Sequence, residues 1–419
     1  MQCVFCAGVV LFVANTATAN AQFATAPLLP AGTDPSAVVA TDFNNDGKLD
    51  FAVANQIPPG TVSVFLGNGR GQFESATAFS TNASYCVAIA AGDFDGDGSP
   101  DIAALNNCNS LERCSNGTLS VALGNGDGTF QLATNYDIGV TPKSLAIGDL
   151  NHDGKLDIAV ASASSGFISV FVGNGDVTFA PAVNYTLGAR SLPFGVALGD
   201  FNGDGNTDIA AADNGTLSVV ILLGNGDGTF QAGRNFATGG QTATIAVGDF
   251  NRDGKLDVAV ANDTLLSSQT GTAAILLGDG KGGLRPPVTY DVASEPSAIV
   301  ATDLDGDGKL DLAVVNPKSS SLSILIGKGD GAFRAVVDYT AGAFPVAAAT
   351  GDINGDQLPD LLVTNSLSNN VSLLFGAGSG KFRDHADFRP PRVRVRLRRP
   401  ISTMMVRLML QLQIPTPIR

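Results

Sequence analysis

Nine residues recur seven times along this chain. The copies are DFNNDGKLD (42–50), DFDGDGSPD (93–101), DLNHDGKLD (149–157), DFNGDGNTD (200–208), DFNRDGKLD (249–257), DLDGDGKLD (303–311) and DINGDQLPD (352–360). Their first Asp residues stand 51, 56, 51, 49, 54 and 49 apart. A period this uniform means a repeat architecture, in which each unit buries its apolar face against its neighbours.

Each copy has the same surroundings. An apolar run precedes it, as at 144–148, and a β-rich run such as IAVA (158–161) follows. A variable polar loop leads to a third run, ISVFV (168–172), which a Gly-rich turn closes: GNGDGTF at 124–130 and 224–230, GKGDGAF at 327–333. A fourth segment ends on an aromatic six residues past the turn's Phe or Leu: Phe79, Tyr136, Tyr185, Phe236, Tyr290 and Tyr339. Alternating runs bounded by turn residues read as strands. Four antiparallel strands in about 50 residues make one blade of a β-propeller. The predicted fold is therefore all-β, a seven-bladed propeller of four-stranded antiparallel blades. A β-solenoid has shorter coils, and two sandwiches would not share one period.

The ends predict how the ring closes. Phe23 lies 19 residues before Asp42, as Phe130 does before Asp149. Residues 23–30 then read as a fourth strand without a blade, expected at the edge of blade seven. Residues 382–388 compete for the same slot.

The acids decide the chemistry. There are 36 Asp and only 3 Glu. Asp suits turns and compact oxygen cages, whereas Glu suits helix surfaces. The repeated loop reads D-x-[DN]-x-D-G-x-x-D, with side-chain oxygens at positions 1, 3, 5 and 9 and a backbone carbonyl at 7. The candidate ligands of loop one are Asp42, Asn44, Asp46, Lys48 and Asp50; of loop two, Asp93, Asp95, Asp97, Ser99 and Asp101. Loop three offers Asp149, Asn151, Asp153, Lys155 and Asp157, and loop four Asp200, Asn202, Asp204, Asn206 and Asp208. Loop five offers Asp249, Asn251, Asp253, Lys255 and Asp257; loop six, Asp303, Asp305, Asp307, Lys309 and Asp311; loop seven, Asp352, Asn354, Asp356, Leu358 and Asp360. This is the first part of an EF-hand loop, but no Glu follows at position 12 and β-runs flank it. An all-oxygen cage of converging carboxylates selects a hard cation, and Ca²⁺ tolerates irregular geometry better than Mg²⁺. Up to seven Ca²⁺ are expected. Isolated Asp and Gly also make plain turns, but seven copies with Asp fixed at positions 1, 5 and 9 exceed that. Loops two and six carry four carboxylates and are expected to bind tightest. Loop seven has Gln357 in place of Gly, and Pro359, and is expected to be weakest. Position 2 is always Phe, Leu or Ile, a buried anchor.

These loops and the GNGDGTF turns resemble the FG-GAP/VCBS repeat family, which includes the integrin α-chain propeller and many secreted bacterial proteins. The resemblance covers about residues 23–388. It implies calcium in the loop joining strands one and two of each blade. It also implies that ligands engage the opposite face, as in integrins, and it fixes no ligand.

Charge is unevenly distributed. The whole chain carries −14, yet residues 383–419 hold nine Arg and two Asp, leaving −21 on the first 382. Such a surface disfavours nucleic acid and anionic membranes. Three regions follow: 1–21, 22–388 and 389–419. Residues 4–14 form an apolar run and Ala19-Asn20-Ala21 a cleavage site, so 1–21 reads as a signal peptide, although it lacks a basic start. The run is too short for a membrane span. Secretion, or export to a periplasm, is expected. Cleavage removes Cys3 and Cys6; Cys108 and Cys114 share one loop that oxidation would staple, and Cys86 reads as a small buried side chain. The Arg-rich segment 389–419 departs from every repeat. Back-translated and read from the third codon base, 400–419 allows Asp-Phe-Asn-Asp-Asp-Gly-Lys-Ala-Asp, an eighth loop on the period. The alternatives are a frame slip near Arg389 or a basic amphipathic appendage.

Few catalytic motifs survive inspection. Gly278, Gly280 and Gly283 match a dinucleotide fingerprint but sit between strands with no helix after them. His152 and His385 are the only His, and the carboxylates are committed to the loops. The periodic Tyr and Phe read as packing between blades rather than sugar platforms. The expected function is a non-enzymatic binding or adhesion module for a protein or glycan. The ligand would meet the variable loops 55–60, 106–117, 186–193, 262–271 and 316–321, since loops on a rigid scaffold carry recognition. The alternatives are an extracellular polysaccharide lyase or hydrolase, and a surface spacer.

Overall fold

A computed structural model describes residues 28–56, 58–107, 116–263 and 270–383. The chain divides into two compact units, Met1–Ala386 and Asp387–Arg419. The expected leader, the Cys108/Cys114 pair and the segment 389–419 all lie outside the described residues.

Among the described residues the first unit holds seven antiparallel sheets: six are four-stranded and joined in simple chain order, and in the seventh three consecutive strands are completed by segments from both ends of the chain. In blade three the strands are Pro142–Gly148, Asp157–Ser162, Phe167–Phe171 and Val183–Thr186. Their burial explains their sequences. The second strand, DIAVAS, is buried at every position. It is sandwiched between neighbouring blades on both faces, so it is uniformly small and apolar rather than alternating. The fourth strand, VNYT, is mostly exposed and is accordingly polar.

The first strands make the ring. Pro35–Thr41 touches Cys86–Gly92 on one side and Pro345–Gly351 on the other, and the remaining first strands touch in succession. The core is correspondingly segmented, with each apolar cluster lying between two blades. One joins Phe43, Val62 and Val64 of blade one to Ile102 and Ala104 of blade two. Another joins Leu362, Val371 and Phe375 of blade seven to Val38, Phe51 and Phe65 of blade one, which closes the circle.

Both candidate closing segments are used. Leu28–Pro30 pairs antiparallel with Asn370–Gly376, Leu29 opposite Val371, and fills the outer place of blade seven. Phe382–Arg383 pairs with the far end of the same strand, Gly376 opposite Phe382. That contact repeats the bridge after every other third strand, which joins Gly to Phe in five blades, such as Gly124 with Phe130, and Gly278 to Leu284 in the remaining one. The N-terminal segment thus completes the last blade, and no blade depends on its own residues alone.

The periodic aromatics pack between blades as expected. Phe79 stacks on Phe130 of the next blade at 4.8 Å between centroids. Tyr136 on Phe179, Tyr185 on Phe230, Tyr290 on Phe333 and Tyr339 on Phe382 meet edge to face at 5.2–5.5 Å. Cys86 is fully buried, and burial pushes its thiol up to about 12. Gly278 and Leu284 bridge a strand-to-strand turn, which disposes of the dinucleotide reading.

Candidate metal centre

All seven Asp loops lie between the first and second strands, so they share one face of the propeller. The Gly-rich turns between third and fourth strands share it too. The local backbone explains the spacing. Positions 4 and 6 both adopt the left-handed conformation in every copy, from Asn45 (φ 56) and Gly47 (φ 80) to Gly355 (φ 77) and Gln357 (φ 66). Gly, Asn and a few tolerant residues are favoured there.

The position 1 carboxylate organises the loop. One of its oxygens accepts the position 6 N–H at 2.7–2.9 Å in all seven copies. Position 3 accepts the N–H of position 5, as Asp305 does from Asp307 at 3.2 Å. Position 5 accepts the N–H of position 7, as Asp97 does from Ser99 at 2.7 Å. Side-chain oxygens are thereby turned inward around a common point.

Position 9 does something the sequence did not reveal. Asp50, Asp101, Asp157, Asp208, Asp257, Asp311 and Asp360 are at most 1% exposed. One oxygen of each accepts the position 2 N–H of its own loop at 2.8–3.0 Å. The other accepts a Gly N–H at the end of the third strand at 2.6–2.8 Å: Gly67, Gly124, Gly173, Gly224, Gly278, Gly327 or Gly376. The carboxylate clamps loop to turn, and each oxygen keeps a lone pair for a cation. The legible trace was a Gly after each third strand, 16 to 23 residues beyond its Asp.

The loops are also stitched across blades. The position 2 anchors are 1–3% exposed. The position 2 carbonyl of Phe43 accepts the N–H of Gly128 in the next blade's turn at 3.1 Å. Leu150 with Gly228, Phe201 with Gly282, Phe250 with Gly331 and Ile353 with Gly71 repeat it at 3.0–3.2 Å. His152, which is exposed, reaches Asn206 of the next loop at 3.1 Å.

The electrostatics suit a cation. Asp93, Asp95 and Asp101 bring carboxylate oxygens within 4.8 Å of one another, and so do Asp303, Asp305 and Asp307. These are the two four-carboxylate loops. Burial pushes Asp101, Asp257, Asp311 and Asp360 up to about 6 despite their two backbone donors, with neighbouring loop carboxylates adding to the rise. Burial also raises Asp305. By contrast, Lys48 and Lys309 hold Asp46 and Asp307 below the usual range, through exposed position 7 to position 5 ion pairs of 2.8 and 2.6 Å. Carboxylates raised by burial first and by neighbouring carboxylates second are donors that a hard divalent ion would relieve. Pro at position 8 does not set loop seven apart, since Pro100 holds that place in loop two; Gln357 does.

Comparison with known proteins agrees with this architecture. A lectin from Agrocybe aegerita, described as recognising non-reducing terminal N-acetylglucosamine, superposes with a TM-score of 0.51 at 18% identity, over 83% of this chain and 96% of its own. A candidate 6-phosphogluconolactonase from Bacteroides fragilis gives 0.58 at 16% identity, over 75% and 86%. One from Bacteroides uniformis gives 0.58 at 17%, over 74% and 87%. At these identities the likeness is one of fold. No curated protein matches the sequence. The FG-GAP-like repeat model matches residues 42–104, 110–160, 149–211, 200–260 and 303–363, four of the five matches starting at the first Asp of a loop. With more than half of the sequence matched and seven blades of one pattern, the chain belongs to the FG-GAP-like repeat family.

Proposed function

We propose that this protein is an exported, calcium-loaded propeller that binds a glycan without turning it over. The observation that carries the metal reading is the gathering of three carboxylates within 4.8 Å in loops two and six, in a loop repeated seven times around one face. Calcium would be held by positions 1, 3, 5 and 9 and the position 7 carbonyl, and would supply positive charge that locks loop to turn. Affinity per site is on the order of 10⁻⁴–10⁻³ M, as in extracellular modules. Several sites filled together add several kcal/mol of stability by mass action. Export rests on the apolar segment and cleavage pattern of residues 1–21. The described residues contain no helix long and apolar enough to cross a membrane.

The glycan reading draws on the fold shared with the Agrocybe lectin and on variable connections that start and end at the strand ends away from the Asp loops. A glycan array and a polysaccharide lyase and hydrolase assay, both in calcium, test it. Binding without turnover is expected. Turnover would make the protein an enzyme, binding only to proteins would make it an adhesion module, and silence would make it a spacer. A melting curve unmoved by excess EDTA would remove the metal.

A further inference from the structure

The seven first strands surround the axis, and they contain a single Lys, Arg, Asp, Glu or His, which is Lys143. It sits at an unusual place. Six of the seven first strands slip register near their start, between Pro142 and Ser144 in blade three. Bulges re-aim a side chain. Ser36 uses this position to donate to the Cys86 carbonyl of the next blade at 2.7 Å, and Ser297 to donate to Val346 at 3.0 Å. Lys143 makes the corresponding reach toward blade four, where its ammonium lies 5.1 Å from the centroid of the Phe194 ring. These residues ring the axis at the end away from the Asp loops.

Lys143 is exposed, yet desolvation among the surrounding strands lowers its pKa. Among the described residues it has no carboxylate partner. Exposed apolar side chains occur at the same two strand starts: Val140 is 42% exposed two residues before the blade-three strand, and Leu192 is 38% exposed immediately before the blade-four strand. A cation over an aromatic face, with no carboxylate partner among the described residues, can take one anion.

We propose that this mouth, between the first strands of blades three and four, binds the carboxylate of a terminal acidic sugar. Lys143 pairs with the acid group and Phe194 lies under the C–H face of the ring. The proposal rests on the glycan-binding reading and assigns it a site and a sugar class. A polyanion fits poorly, because one ammonium stands in a unit that carries −21 over residues 1–382; a single carboxylate fits. Capture of a peptide carboxylate uses a nest of backbone N–H groups, whereas here the donor is a side-chain ammonium beside an aromatic face.

The test uses the full chain in saturating calcium. The probes are a glucuronic-acid-terminated disaccharide, its methyl ester, the matching glucose-terminated disaccharide and a tripeptide with a free C-terminus. The acid probe should bind about tenfold better than its ester, the effect of one charge-assisted contact. Lys143→Gln should abolish that preference, Lys143→Arg should retain it, and both should keep the wild-type melting curve. Equal binding of acid and ester, indifference to Lys143→Gln, or a preference for the tripeptide would overturn the site. Glycan binding by the wild-type protein that shows no preference for the acid over the glucose-terminated probe would overturn the site and leave the glycan reading intact. Failure of every glycan would overturn both.

Discussion

At the residue scale, Asp at position 9 and Asp or Asn at position 3 look alike in sequence but do different work. Asp311 accepts from Leu304 and Gly327 inside the fold. Asp311→Ala leaves two buried N–H groups without partners and should cost about 2–5 kcal/mol, in chelator as well as in calcium. Asp305 accepts one loop N–H and stands 3.8 Å from the exposed Arg334, and burial raises its pKa, so the ion-free protein gains little from its charge. Asp305→Ala should be within about 0.5 kcal/mol of wild type in EDTA and clearly less stable in calcium. It should lose more of the calcium-dependent stability than Asn354→Ala does. Parallel urea melts with and without calcium check all three; equal losses in both buffers for Asp305→Ala would deny it a ligand role. Gln357 offers a converse case. It holds φ 66 where its six counterparts are Gly, a conformation that costs a side chain roughly 1 kcal/mol. Gln357→Gly should stabilise by a few tenths to about 1 kcal/mol after the greater flexibility of unfolded Gly is counted. A loss on that substitution would mean that the Gln side chain has a role of its own.

At the scale of elements, the blade was legible because each strand's burial is written in its residues. DIAVAS is apolar throughout because it is covered on both faces, and VNYT is polar because it is the rim. The position 2 anchors and the interblade aromatics were legible for the same reason, as periodic apolar residues in a polar context. The clamp at position 9 was not, because a carboxylate that accepts backbone N–H groups and one that holds a metal are the same letter. The stitching of turn to neighbouring loop was hidden as well, since it runs through backbone atoms of Gly and Phe. The far-face bulge at Lys143 left no signal in spacing. Closure was half legible: two segments competed for one slot, and the structure gives each a different part of Asn370–Gly376. A protein lacking residues 1–30 should therefore retain seven Asp loops but leave the outer edge of that strand unpaired. Its melting temperature in calcium should fall by several degrees, and the bare edge should promote self-association. An unchanged melt and a monomeric sedimentation profile would show that residues 28–30 do not secure the ring.

At the scale of the whole molecule, the Asp loops form one crowded belt on one face, and their protonation is linked to folding. In the ion-free protein Asp101, Asp257, Asp311 and Asp360 sit at about 6, against an ordinary value of 3.8. The folded state therefore binds more protons than the unfolded chain between these values. The stability these groups contribute is full below 3.8 and is lost as pH rises through about 6. In chelator, then, the melting temperature should fall between pH 5 and pH 7. Calcium held as proposed would reverse the balance, because the ion would take the place of the proton and needs the carboxylate form. The gap between melts in calcium and in EDTA should widen over the same interval. General repulsion among surface acids would also weaken the ion-free fold as pH rises, but salt screens exposed charges far more than buried ones. Repeating both melts at 0.1 M and about 1 M salt, where the screening length drops from about 10 to 3 Å, separates the two causes. A gap that stays pH-dependent in high salt belongs to the buried Asp clamps. A gap that becomes flat there would assign the effect to net charge and remove the clamps from the calcium linkage.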